Sequence, residues 1–442
     1  MLNDFKSSHD LLDKKSKIYS SRPRVVMGGE CVSKGLRTLL MPYGNQWRTH
    51  QRLQASVLNI RTAASYKGMQ DIESRQLIAE LLSTSDFAAR FHRYSSSLIY
   101  SLAYGKRLVR GDEPEVQGID RVMENFLYAA RVGTWIVDAW AVLNVLPTFM
   151  APWKQHAENM HAFESQLYVQ NMKSAETTRS WNWVKQVKGM KESQGMSELE
   201  LAYDVGILYE AGSDTTTMAM EVFTMAAVLY PNAMKAARDE LDSIVGRHRL
   251  PTFDDSEALP HVNAVIKEVL RWRPVSAGGI PHAVIEDDEY MGYRIPKGSV
   301  VIGNHWAIHL DEEVFENALT FDPERWIRDP DLPFAPFGFG RRICTGQHIA
   351  KNSLFINIAR ILWAYDVGHA YEENNLGAKL RCEIDPLAMT QGFNSRPMPF
   401  KAVFTVRGAE TRDVIEKNWE SAEKDVEKLL ADVQLLHSRK SV

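Results

Sequence analysis

Apolar residues recur three and four positions apart through most of the first 272 residues, the spacing of one helix face. The pattern predicts helices over 44–58, 65–82, 86–104, 113–131, 153–178, 197–230, 231–245 and 260–272, and another over 347–365. Beyond residue 280 the helical spacing gives way to short extended pieces, Tyr293–Ile302 and Lys401–Arg407, with Pro296-Lys297-Gly298 as a hairpin-type turn. The predicted class is mainly α with a small, mostly antiparallel β part.

The 197–230 helix is the longest, at about 34 residues or roughly 50 Å. Ser197 and Glu200 form a capping box at its start, and Pro231 closes it. Its middle, Ala211-Gly-Ser-Asp-Thr-Thr-Thr217, is a run of poor helix formers. The Thr215 hydroxyl is within reach of the Ala211 carbonyl four residues back. A bend that serves packing and a turn that holds an acid and a hydroxyl for chemistry fit this stretch equally well.

A second apolar stretch, Thr134–Trp153, carries one charge, Asp138, and is broken by Pro147 and Pro152. It reads as a buried or lipid-grazing helix-turn segment rather than a membrane span. The polar N-terminus is neither a signal peptide nor a span. A net charge of -4 with no basic run excludes nucleic acid as a partner. Cys31, Cys344 and Cys382 lie far apart without a CxxC, so they predict reduced thiols and a cytosolic face. The chain has no Gly/Ser-rich linker and no internal repeat, which predicts one large core.

Candidate chemistry concentrates in Phe337-Gly-Phe-Gly-Arg-Arg-Ile-Cys344-Thr-Gly346. A thiolate there can bind a soft metal. Glycines let the backbone approach a flat cofactor, and arginines supply charge for its carboxylates. The loop reads as the axial-ligand loop of a haem-thiolate enzyme, with a buried structural cysteine as the alternative. Glu268 and Arg271 share a helix face; taken alone they read as a solvated pair. Pro323-Glu-Arg-Trp326 adds Arg325 and is weak by itself.

Together, AGSDTT at 211–216, Glu268 with Arg271, PERW at 323–326 and FGFGRRICTG at 337–346, in that order, resemble the cytochrome P-450 family. The likeness covers roughly residues 10–407. The stretch IPHAVIEDDEYMGYRIPKGSVVIGNHWAIHLD is most similar to the fungal microsomal type, often found in secondary-metabolite pathways. The resemblance implies the P-450 fold with a long central helix over haem. It implies a haem-thiolate monooxygenase that hydroxylates or oxidatively couples a hydrophobic small molecule. The cofactor would be haem b and the co-substrate dioxygen, with NADPH acting through an NADPH-cytochrome reductase. A haem-thiolate isomerase or dehydratase and an inactive haem-binding remnant are the rival readings.

Residue by residue, the resemblance makes Cys344 the axial ligand of the haem iron, within a loop framed by Phe337 and Gly346. Thr215 would hydrogen-bond dioxygen, Asp214 would relay protons, and Ala211 and Gly212 would open the oxygen groove. Glu268, Arg271 and Arg325 would form a buried brace for the cysteine loop. Arg342 and Trp47 match propionate partners, and His282 stands where many relatives have an arginine. The basic residue expected four positions after Trp47 is Gln51, which leaves His50 or Arg52 as substitutes. Val205, Leu208, Tyr209, the 275–280 loop and Gly392–Asn394 would line the substrate site. Arg341 and Lys351 would face the reductase.

The resemblance also divides the chain into a catalytic domain, 1–408, and a charged amphipathic helical extension, 409–442. Ile415, Trp419, Ala422, Val426, Leu429, Val433 and Leu436 form a heptad seam there. It predicts a helix lying on its own chain, with self-association through 411–442 as the alternative. Relatives sit on the cytosolic face of the endoplasmic reticulum; without a span, this chain is expected to be cytosolic or in peripheral membrane contact. The resemblance implies that about 70–80 upstream residues of relatives have no counterpart here, and the expectation is that a sheet edge would then be unpaired.

Overall fold

The computed structural model describes residues 1–373 and 377–439. Its main helices are α1 Asn45–Leu58, α2 Lys67–Glu80, α3 Phe87–Tyr104, α4 Pro114–Ala129, α5 Pro152–Thr177, α6 Glu198–Leu229, α7 Lys235–Ile244, α8 Pro260–Trp272, α9 Gln347–Ala364, α10 Ala409–Glu420 and α11 Val426–Arg439. The helices expected from the apolar spacing form, with ends moved by caps. α6 starts where the Ser197 hydroxyl accepts the Glu200 amide at 3.1 Å. The return half of the capping box is not made, because the Glu200 carboxylate turns to His50 Nε2 at 3.0 Å.

α6 is the axis of the molecule, with α3, α5, α8 and α9 packed around it. It is buried on nearly every face, which is why its apolar pattern is almost continuous rather than striped. The Ala211–Thr217 turn stays helical. Its glycine serves close approach: a Cβ at Gly212 would come within 2.7 Å of Ile99 on α3. A Cβ at Gly206 would fall 2.4 Å from the Tyr168 ring on α5. Helices held this near the α6 backbone leave no room for a side chain at either point.

The β part consists of antiparallel pairs of short strands. β1 His282–Ala283 pairs with β4 Val300–Val301, and β2 Asp288–Tyr290 pairs with β3 Tyr293–Ile295. The extended piece 293–302 is therefore split between two sheets, and the hairpin closes at Met291-Gly292 rather than at Pro296-Lys297-Gly298. Proline at 296 supplies no amide for a ladder, so the chain leaves one sheet there and enters the other. β5 Tyr365–His369 takes β8 Ala402–Val406 over five residue pairs, and β6 Tyr371–Glu373 takes β7 Lys379–Arg381.

The C-terminal region is two helices, not one. The break between α10 and α11 interrupts the heptad seam. Ile415 and Val433 turn into the main core, as does Leu430, which lies off the seam, while Leu436 is exposed. α10 and α11 both pack on α2. Residues 440–442 lie outside the described residues. The Thr134–Trp153 stretch forms three short helical turns, and the Asp138 carboxylate accepts the amides of Val26 and Met27 at 2.8 and 2.9 Å. Val132, Val145 and Phe149, at and beside this stretch, are at least 80% exposed, so it is not a buried segment. Among the described residues, no helix is long and apolar enough to cross a membrane.

Candidate active site

A cavity of about 360 Å³ lies between α6 and the loop that precedes α9. Cys344 lines it and is accessible. Burial pushes the Cys344 pKa up, while the amides of Gly346 and Gln347 at the start of α9 pull it back. Those amides favour a thiolate, as the positive end of a helix does. The Cys344 amide donates to the Phe337 carbonyl at 2.8 Å, which closes the loop on itself. Gly338 and Gly340 hold positive φ, 84° and 55°. A Cβ at Gly340 would also lie 2.3 Å from the Leu12 carbonyl oxygen. Phe337 and Gly346 both line the cavity.

On the facing wall stand Ala211, Gly212, Thr215 and Thr216. The Thr215 hydroxyl donates to the Ala211 carbonyl at 2.9 Å. Asp214 is not among the lining residues; its Oδ1 lies 3.4 Å from Arg396, which also holds Glu221 through two bonds of 2.9 Å. Of the expected lining residues, Leu208 reaches the cavity and Val205 and Tyr209 do not. Tyr209 packs on Tyr100 and Tyr104 and donates to the Glu115 carbonyl at 3.2 Å. Ile207 takes the place expected of Val205. Val275, Ser276, Ile280, Phe393 and Asn394 line the cavity as the loop assignments predict, and Gly392 is not among them.

The cavity floor is electropositive. Arg342 Nε, Nη1 and Nη2 donate to the carbonyls of Ser20, Thr38 and Met41, and its guanidinium lies 4.2 Å over the Trp47 ring. Arg22 donates to the carbonyls of Leu39, Ile280 and Pro281. Among the described residues neither arginine has a carboxylate partner. Burial lowers Arg22 to about 9, with Arg342 adding to the effect, and lowers Arg342 to about 10. Both stay charged at neutral pH. His282 Nδ1 donates to the Tyr19 carbonyl at 2.7 Å; burial, then Arg22, lower its pKa to about 3, so it is neutral. His305 lines the same floor, and its buried Nδ1 has no partner among the described residues. Two buried cations with no acid call for an anionic group with two negative charges. A flat cofactor with two carboxylates fits. Arg22, in Ser21-Arg22-Pro23, escaped the sequence reading because a lone arginine before a proline has no periodic or motif signal.

Neither His50 nor Arg52 replaces the basic residue expected after Trp47. Gln51 faces the cavity, Arg52 Nε is spent on the Arg48 carbonyl, and His50 points away from it. His50 is fully buried between Asp204 Oδ1, at 2.8 Å, and Glu200 Oε1, at 3.0 Å. Burial disfavours its charge, but the two carboxylates outweigh that and raise its pKa above 6.5. Its contribution to stability is therefore complete below about pH 6.5 and is lost as pH rises through the raised value. Urea midpoints of wild type should fall across that window, and those of His50→Gln should stay level. Parallel curves would count against a charged His50.

Glu268 and Arg271 are not a surface pair. Both are fully buried, and Arg325 joins them. Arg271 meets Glu268 through bonds of 2.8 and 2.7 Å, and Arg325 Nε and Trp326 Nε1 donate to the same carboxylate at 3.2 and 2.9 Å. Arg271 also donates to the carbonyls of His309 and Ala318 at 2.8 Å. His309 Nε2 in turn accepts the Ala335 amide at 3.3 Å, next to the cysteine loop. The Trp326 ring meets Phe334 edge-on at 5.4 Å. Helix spacing alone could not show this burial, because the covering residues lie some 50 positions downstream.

A cytochrome P450 family model matches residues 1–376, and the chain belongs to that family. Cytochrome P450 monooxygenase aneD of Aspergillus aculeatus is 44% identical over 436 residues, which cover 98% of this chain and 84% of that protein. Cytochrome P450 monooxygenase drtD of Aspergillus calidoustus is 43% identical over 420 residues, covering 95% and 79%. Two solved structures of a zebra fish cytochrome P450, one with abiraterone and one with progesterone, share the fold at TM-scores of 0.72 and 0.75. Both are 22% identical, covering 92% of this chain and 93% of theirs. The protein is a P450 monooxygenase, an oxidoreductase acting on hydrophobic substrates, consistent with the fungal secondary-metabolite type. Membership implies haem b and NADPH- and dioxygen-dependent chemistry, with a reductase as partner.

Proposed function

We propose that the cavity holds haem b with the Cys344 sulfur as axial ligand, with Arg342, Arg22 and Trp47 toward its propionates. The substrate, a hydrophobic secondary metabolite, then occupies the Thr215 side. The observation that carries this reading is the pair of buried, acid-free guanidiniums in the same cavity as an accessible thiol. When bound, a thiolate-ligated haem activates dioxygen with electrons from NADPH for insertion into, or coupling of, the substrate.

The remaining work falls to the chain. The Gly346 and Gln347 amides favour the thiolate form of Cys344 against the burial that raises its pKa. His282, neutral, offers a hydrogen bond and no charge. Glu268, Arg271 and Arg325 keep the cysteine loop in register through His309 and Trp326. Thr215 turns its O–H from the Ala211 carbonyl into the cavity to deliver a proton, and Asp214 Oδ1, released from Arg396, returns one to it. Arg341 and Lys351 are both exposed, the Lys351 Nζ lying 5.1 Å from the Phe337 ring centroid, which suits both to a reductase docking face.

The test is the ferrous–carbon monoxide spectrum of the haem-loaded protein, where thiolate ligation gives a strongly red-shifted Soret band. An unshifted band would sink the assignment. Thr215→Ala is expected to lower product formed per NADPH consumed by about 100-fold, the small end of general acid–base effects. Unchanged coupling would remove Thr215 from proton delivery. Peripheral membrane contact through 132–150 rests on the exposure of Val132, Trp140 and Phe149. Changing all three to serine should cut the vesicle-bound fraction more than about tenfold, since each buried apolar side chain is worth about 1.5–3 kcal/mol. Equal cosedimentation would exclude this face.

A further inference from the structure

One part of the cavity wall carries charge that the haem site does not use. Arg37, in the loop before α1, donates through Nη1 to Glu210 Oε2 and through Nη2 to Glu164 Oε1, both at 2.5 Å. The Tyr168 hydroxyl donates to the same Glu210 oxygen at 2.9 Å, and Arg37 Nε donates to the Ser33 hydroxyl at 3.2 Å. All three charged side chains are at most 4% exposed. One guanidinium thus faces two carboxylates, and a buried negative charge is left over. Glu210 stands on α6 immediately before Ala211, on the cavity wall.

The surplus is met by a proton. Burial, and then Glu210, push Glu164 up to about 7 against the pull of Arg37. Burial opposes the charge on Arg37, but the two glutamates outweigh it and keep it charged. The other titratable groups packed against the cluster supply no cation. Burial raises Tyr168 and Tyr203, and burial lowers His161, whose ring nitrogens meet the Tyr203 hydroxyl at 3.1 Å and the Ser165 hydroxyl at 3.3 Å. Arg37, Glu210, Phe126 and Phe393 all line the cavity. The Arg37 guanidinium lies 4.0 Å over the Phe126 ring, and Phe126 meets Phe393 edge-on at 5.9 Å. A second cation beside these rings gains both the spare carboxylate charge and attraction to the ring faces. An anionic substrate would add to the surplus and be repelled.

We propose that the substrate of this monooxygenase carries a basic or quaternary nitrogen, seated against Glu210 and the Phe126–Phe393 pair, where its charge balances the second carboxylate on Arg37. The inference rests on reading the cavity as the substrate chamber.

The test is calorimetric titration of the haem-loaded protein with benzyltrimethylammonium and with neopentylbenzene, which has the same shape with carbon in place of the charged nitrogen. The quaternary nitrogen has no lone pair and cannot ligate iron. The cation is expected to bind at least tenfold more tightly. At pH 7 its binding should release part of a proton, read from buffers of different ionisation heat. Glu210→Gln should reduce the preference to twofold or less. Glu164→Gln, which leaves the Arg37–Glu210 pair in place, should do the same and abolish proton release. Equal binding of the two probes to wild type, or a preference that survives in both variants, overturns the proposal. The ferrous–carbon monoxide band is read on the same samples. A shifted band without the preference defeats only the cation site, whereas the preference without the band defeats only the haem assignment.

Discussion

Cys344→Ser is expected to abolish the red-shifted carbon monoxide band and to lower product formation more than about 100-fold, beyond the 10–100-fold typical of losing an outer-shell metal partner. The substitution changes one atom. The loop keeps its Cys344 amide bond to Phe337 and its positive-φ glycines, so the fold is preserved. What changes is the ligand. The Gly346 and Gln347 amides offset part of the burial that raises the Cys344 pKa, a thiol is a far stronger acid than an alcohol, and oxygen is a harder donor than sulfur. The checks are the spectrum, turnover with a surrogate hydrophobic substrate, and the thermal midpoint, which should hold. Retention of the shifted band in the variant would mean another residue supplies the ligand.

Glu268→Gln should cost about 3–5 kcal/mol of stability, because it leaves buried guanidiniums without their counter-charge. The glutamine matches the glutamate in shape and can still accept from Trp326, so the loss reports charge rather than a cavity. Arg271 and Arg325 would then face each other across a fully buried site with no acid between them. The same pair on a surface would be worth only about 0.2–1 kcal/mol. The effect should extend to the site, since the network holds His309 and Trp326, and these hold Ala335 and Phe334 ahead of the cysteine loop. Urea unfolding and the rate of haem transfer to an apo-acceptor measure the two parts. An unchanged midpoint would mean that the arginines find compensation elsewhere.

Local physics made much of this protein legible without coordinates. The period of apolar residues placed the main helices because a helix buries one stripe, and that stripe is a local property. The Thr215–Ala211 bond follows from i to i−4 geometry. The cysteine loop was readable because its glycines, arginines and thiol act within ten residues. The misreadings share a cause as well. Tyr293–Ile302 looked like extended pieces turned back at Pro296-Lys297-Gly298, but its two halves find partners in different sheets. The 409–442 seam looked like one helix lying on its own chain, but the break between α10 and α11 turns parts of it in different directions. Tyr209 sits next to Leu208 in sequence and Val205 three before it, yet on a helix buried all round only some positions meet the cavity.

The sequence by itself determined the class, the ligand loop, the position of Thr215 and the helical frame, because each depends on residues close in the chain. Only the tertiary structure decided which charges are buried and which are paired. It buried the Glu268–Arg271 pair completely, as the resemblance implied and helix spacing alone did not, and it put Asp214 on Arg396 rather than in the cavity. It set Arg22 beside Arg342 without an acid, and Arg37 between Glu164 and Glu210 with one acid too many. Charge balance depends on distance and burial, and residues separated by 100 to 300 positions acquire both only when the chain folds.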